Sequence, residues 1–208
     1  MLPFLRGASA RTPTTLPLFP LKTVLFPGGM LPLKVFEQRY IEMTKACLKE
    51  EKPFGVCLLK QGEEVALPDA IGEFAGIGTM ARITACDVPQ LGILHLKTEG
   101  GARFQVHSHF VNPDGLVVGQ VTALAPEPAL PLPEAYQPLA ALLGLLVERV
   151  GREHFAGETA TGDASWVGYR LAELLPLPLG IKQSMLEIND SQVRLKVLAQ
   201  FLKDQEIL

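Results

Sequence analysis

The stretch Gly100–Phe110, "GGARFQVHSHF", sets Phe104, Val106 and Phe110 alternately with Arg103, Gln105, His107 and His109, directly after a double glycine. In an extended chain residues i, i+2 and i+4 share a face, so this stretch predicts a half-buried strand. With Glu99, Gly100 and Gly101 as a three-residue loop, the preceding "GILHLKT" folds back onto it. Thr98 then closes against Ala102, Leu96 pairs with Phe104, and Leu94 pairs with Val106. The apolar partners fall on one face, and His95, Lys97, Arg103, Gln105, His107 and His109 fall on the other. A slip of one residue would mix the two sets, so patterning selects this register, with Arg103 and His107 pointing to solvent.

Working outward, similar strand signals run from Leu16 to about Leu124: "TLPLFPL", "MLPLKV", "FGVCLL", "GTMARITACDV" and "LVVGQVTAL", separated by Pro-Gly-Gly, Gly-rich and Asn-Pro-Asp-Gly turns. Short strands with such turns predict an antiparallel sheet or barrel. One helix interrupts them, about Glu37–Glu50, with Tyr40, Ile41, Thr44 and Leu48 as its apolar stripe. "APEPALPLPEAYQP" follows, whose prolines favour an extended connector. Beyond it the period turns helical: Leu139, Leu142, Leu143, Leu146 and Val150, then Trp166 to Leu175, then Val193, Val197, Leu198, Phe201 and Leu202. Asp163 and Asp190 are expected helix caps, and Pro176 and Pro178 break between two helices. The expected organisation is a tail over 1–14, a β-rich domain over 15–124, a Pro-rich connector over 125–134 and a helical subdomain over 135–208, an α+β fold.

Composition narrows the function. A chain of 208 residues, 48% hydrophobic, can bury a sizeable core. A formal charge of -3 supplies no global positive field for phosphate backbones or anionic lipid. No run reaches the roughly 20 apolar residues of a membrane helix, and the first fifteen residues lack a secretory h-region, so a cytoplasmic protein is expected. The tail carries Arg6 and Arg11 without acids, as a transit peptide does, but a frayed terminus is the preferred reading. Cys47, Cys57 and Cys86 show no C-x-x-C spacing and are expected to be buried free thiols.

Catalytic motifs are missing. Gly76-Ile-Gly78-Thr-Met-Ala81 fits a loose dinucleotide pattern, but a strand follows it where a helix N-terminus would be needed. There is no G-x-x-x-x-G-K-[ST], G-x-S-x-G or H-E-x-x-H. Lys182 and Ser184 stand at i and i+2 on a helix and point apart. Glu50-Glu51 and Glu63-Glu64 read as solvated acids. His107, His109 and His95 lack a carboxylate or thiolate to complete a metal set, and the polar face lacks the aromatics on which bases stack. No catalytic residue, cofactor or metal is expected.

Taken together, "LPLFPLKTVLFPGGMLPLKVFEQRYIEMTKAC", "GTMARI", "GGARFQV" and "RLAELLPLPLGIKQSMLEI" resemble the N-terminal substrate-binding domain of the Lon protease family, specifically its short stand-alone bacterial type. The resemblance runs from Leu16 onward through Pro27, Gly28, Pro32, Phe36, Arg39, Tyr40, Gly78, Arg82, Gly101, Arg103 and Phe104. It implies a twisted, barrel-like, PUA-like β domain followed by helices, and no ATPase or protease domain. It also implies a non-enzymatic module for unfolded or extended polypeptide, serving as an adaptor to a protease or chaperone. The candidate contacts are Arg39, Lys97, Arg103 and His107, though an ion pair is the simpler role for Arg39 and Arg103. PUA-like binding of RNA is the alternative; no membrane partner is expected.

Overall fold

The computed structural model describes residues 12–62, 72–157 and 159–207; Arg6, Arg11 and the Glu63-Glu64 pair lie outside them. Six strands and five α-helices follow in the order β1 Thr14–Leu21, β2 Met30–Val35, α1 Gln38–Glu50, β3 Phe54–Leu58, β4 Ile77–Gln90, β5 Ile93–Val111, β6 Val117–Ala123, α2 Gln137–Val150, α3 Ala164–Leu174, α4 Leu179–Glu187 and α5 Ser191–Asp204. The fold is α+β, with the strands in the first part and four helices in the last. β1 already includes Thr14, inside the expected tail.

The sheet order is β2-β5-β4-β3-β1-β6, and β6 pairs again with β5, so the strands return on themselves in a barrel-like ring with β2 attached. β1 and β3 run parallel, against the expectation of antiparallel pairing throughout, because β2 and α1 carry the chain across between them. The interior holds Leu16, Leu18, Cys57, Phe104, Val117 and Val121.

The predicted hairpin at Gly100-Gly101 does not form. "GILHLKT" and "RFQVHSHF" are one strand of 19 residues, and β5 turns instead at Leu91-Gly92 onto β4. The glycines serve close approach. Gly28 N–H donates to Gly100 O at 2.6 Å and Gly100 N–H to Gly29 O at 2.8 Å, and a Cβ on Gly100 would lie 2.2 Å from Phe26 O. β2 flanks β5 up to Glu99 and β6 from Phe104, so the Pro27–Gly29 turn fills the gap between two successive neighbours. A register shift lies opposite the same point of β4, and the strand bends there.

The polar face of β5 is also not uniformly wet. Arg103 and Phe104 are both buried. Alternation does send them to opposite faces, but the helical lobe covers the arginine's side, while His95 and Lys97 before it and the strand from His107 onward are exposed. Gly78 pairs with Phe104, and a Cβ there would meet the Phe104 ring at 2.7 Å, which gives this glycine a packing role.

α1 packs Tyr40 on Phe19 at 3.8 Å between ring centroids. Its buried stripe is Tyr40, Ile41, Met43, Thr44 and Cys47, with Leu48 exposed, since the face centres one position before the expected residue. In the helical lobe α3 packs against α2, α4 and α5. Asp163 accepts from Trp166 N–H at 2.7 Å, and Asp190 from Gln192 N–H at 2.8 Å, as expected of caps. On α5 the inward positions are Ser191, Arg194, Leu195, Leu198 and Leu202, while Val193 and Val197 are exposed. Val150 of α2 is likewise exposed. Cys86 is exposed, unlike Cys47 and Cys57, because β4 beyond Ile83 projects from the body.

Candidate functional site

The two lobes meet along a seam built around buried charge. Glu127, from the Pro-rich connector, is almost fully buried beside Arg103 of β5 and Arg194 of α5. Arg194 donates to both Glu127 oxygens and, through Nε, to Met185 O at 2.9 Å. Ser165 and Tyr169 of α3 donate their hydroxyls to the same carboxylate. The Arg194 guanidinium lies 3.9 Å from the Tyr169 ring centroid. Arg103 Nη1 donates to Leu186 O at 2.6 Å and Ile188 O at 3.0 Å, tying β5 to the end of α4. Burial opposes ionisation of Glu127, but the bonds from Arg194, Tyr169 and Ser165 outweigh it and hold its carboxyl below the usual range.

A second cluster pins the Pro27–Gly29 turn. Arg170 of α3, 1% exposed, donates to Gly28 O at 2.7 Å and Pro27 O at 2.8 Å, and lies 2.9 Å from Glu173. Burial raises the Glu173 carboxyl above its ordinary value, against Arg170 and Lys182. Lys182 Nζ donates to Glu173 O and Ser184 Oγ to Gly180 O, so these two side chains do not form a catalytic pair.

Two recesses flank this turn. One, about 540 Å³, is lined by Met30, Leu31 and Pro32 of β2 with Phe155, Glu173 and Leu174 from the helical lobe, and Lys97 at its edge. The other, about 470 Å³, lies between Gly101–Arg103 of β5, the connector at Pro126–Ala129 and the start of α3 at Trp166. Both linings are mainly apolar.

The four candidate contacts are not brought together. Arg39 holds Glu37 at 2.7 Å, donates to Gly115 O and lies over Tyr40, which gives it a structural role. Lys97 is exposed at the rim of the larger recess. Arg103 is internal, in the ion-pair role. His107 is exposed, with Nε2 2.8 Å from Thr122 Oγ1. Glu127, Arg170, Arg194 and Trp166 were not singled out from the sequence. The available signals were a lone acid among prolines and alanines, and arginines standing within the apolar stripes of α3 and α5. No group of three or more potential metal ligands occurs among the described residues, and no described helix is long and apolar enough to cross a membrane.

A barrel-like sheet joined through a buried ionic seam to a four-helix lobe defines the class of this α+β domain. Residues 15–204 match the family model of the ATP-dependent protease La (LON) substrate-binding domain, and the chain belongs to that family. It is 28% identical over 209 residues to Lon protease 2 of Myxococcus xanthus, covering 94% of this chain and 24% of that protein. It is 36% identical over 95 residues to Lon protease of Anaeromyxobacter dehalogenans (strain 2CP-C), covering 45% and 11%. The chain thus spans a quarter or less of these curated relatives. Among solved structures, a Lon N-terminal domain protein from Xanthomonas campestris superposes with a TM-score of 0.73 at 37% identity, over 90% of this chain and 98% of that one. The N-terminal domain of Mycobacterium avium complex Lon protease shares the fold, with a TM-score of 0.60 at 19% identity over 92% and 99%.

Proposed function

We propose that this chain holds extended, apolar polypeptide segments along the seam between its lobes, without hydrolysing ATP or cleaving them, and delivers them to a protease or chaperone. The observation that carries this reading is the pair of apolar recesses on either side of the Pro27–Gly29 turn. Membership of a substrate-binding family, and relatives named Lon protease, support the choice of polypeptide. Addition of a peptide strand at the β2 edge has less support: Pro32 offers no N–H there and Lys34 is charged, both devices that blunt an edge. RNA binding is weakened by the withdrawal of Arg103 from the patch of Lys97 and His107.

The test is fluorescence anisotropy with a reduced, labelled unfolded protein, without nucleotide. Ala129→Asp and Met30→Asp each place a charge in one recess. At least one should weaken binding about tenfold, a change of about 1.4 kcal/mol, with little change in melting temperature. Full affinity in both variants, or competition by single-stranded RNA at physiological salt, would count against the seam.

A further inference from the structure

In the recess of about 470 Å³ the polar groups are already engaged within the fold. Arg103 donates to Leu186 O and Ile188 O, Glu127 accepts from Arg194, Ser165 and Tyr169, and Asp163 caps α3. What the lining leaves open is apolar: Ala125, Pro126 and Ala129 of the connector are exposed, and Leu124 and Trp166 are half-buried. Such a lining fits an occupant whose side chains carry no charge.

The start of β1 is aimed at this wall. β1 and β6 are antiparallel with Thr14 opposite Val121, so the chain traced backwards along β1 runs beside β6 traced forwards. Carried back two residues, that register sets Thr12 level with Ala123, next to Leu124 of the lining. Pro13 keeps Thr12 extended, which holds the chain on this heading. The groove between β1 and α1 also begins at Thr14, but it follows β1 to Pro17, and a segment entering it would double back over its own strand.

Ahead of Thr12 the sequence supplies a matched occupant. Residues 1–5, "MLPFL", set Met1, Leu2, Phe4 and Leu5 around a proline that favours extended backbone, with Leu2 and Phe4 on one face. Residues 6–11, "RGASAR", form a spacer of small residues between two arginines. At about 3.3 Å per residue this spacer can reach about 20 Å.

We propose that residues 1–5 occupy this recess of their own chain, with Leu2 and Phe4 against Trp166 and the connector, and compete there with client polypeptide. The competition rests on the seam reading; the contact itself rests on the recess alone. A short tether presents its segment at about millimolar effective concentration. An intrinsic Kd of about 0.1 mM then fills the recess about nine-tenths of the time and weakens an outside competitor about tenfold.

Trp166 is the chain's single tryptophan, so acrylamide quenching of its emission reads the cover directly. The full chain is compared with its Leu2→Asp/Phe4→Asp variant, which leaves every described residue unchanged. Quenching should be stronger in the variant, and the peptide MLPFL, as its C-terminal amide at about millimolar concentration, should restore the shielding. The variant should also bind the labelled unfolded protein about tenfold more tightly. Equal quenching in the two proteins overturns the contact, whatever the client does. A rise in quenching that the peptide does not reverse overturns it too, since the change then reflects altered folding. Shielding in the unsubstituted chain that disappears on dilution also overturns it, assigning the segment to the recess of a second copy. Stronger, peptide-reversible quenching with unchanged client affinity upholds the contact and removes the seam as the client site. Failure of the unfolded protein to bind either chain counts against the seam reading alone, because the quenching comparison needs no client.

Discussion

Phe104 presses its ring against the backbones of Gly55 and Gly78, while its neighbour Arg103 reaches the opposite way into the helical lobe. Phe104→Ala should cost roughly 3 to 5 kcal/mol through the cavity it leaves. Glu127→Ala should cost roughly 3 to 5 kcal/mol, because it leaves the buried Arg194 and Arg103 without their carboxylate, and Arg103→Ala should cost about 1.5 to 3 kcal/mol, because it removes the charged donor to Leu186 O and Ile188 O. For Arg103 this reverses the small effect expected of an outward-facing side chain. His107→Ala, on an exposed position, should stay within about 0.5 kcal/mol. Urea denaturation of the four variants checks the order, and a silent Arg103→Ala would contradict the seam described above. Gly100→Ala, facing Phe26 O at 2.2 Å, should also be destabilising, since backbone stands on both sides of the contact.

At the scale of elements, the caps are the easiest to test. Asp190→Ala removes acceptors for two N–H groups at the start of α5 and should lower stability by about 1 kcal/mol, read from the shift of the urea midpoint. The caps, the strands and α1 were legible because each depends on local spacing. The division of β5 was not: a double glycine beside alternating residues has the same pattern whether it turns the chain or admits another backbone, and the distant Pro27–Gly29 turn decides between them. The candidate site suffered in the same way. Alternation correctly placed Arg103 opposite Phe104, but which lobe covers that face is a tertiary fact. On α5, Val193 and Val197 drew the apolar stripe away from Arg194, whose burial depends on Glu127, 67 residues earlier.

For the whole molecule, the two buried carboxyls respond to acid in opposite senses. Glu173 has a folded pKa above its ordinary value of 4.5, so stability from this group rises as pH falls through the folded value and levels off near the ordinary one. Glu127 is depressed below 4.5, so the stability it supplies is present above that value and is lost as pH falls through its lower folded pKa. Melting temperature should therefore climb modestly on mild acidification and then drop. Glu173→Gln should remove the climb, and Glu127→Gln should lower the curve at neutral pH and flatten the acid limb. A wild-type curve indistinguishable from that of Glu173→Gln would mean that this carboxyl does not titrate as its burial implies.

The projecting part of β4 also makes the protein chemically addressable at one point. Cys47 and Cys57 are buried, with thiols pushed up to about 11 and about 12 by burial, aided at Cys47 by Glu50, whereas Cys86 is exposed on the ribbon. A maleimide dye at neutral pH should couple once to the native chain and at all three cysteines in denaturant, as intact mass will show. The wild-type sequence thereby carries its own handle for surface immobilisation or distance measurement, at a residue that lines neither recess of the seam.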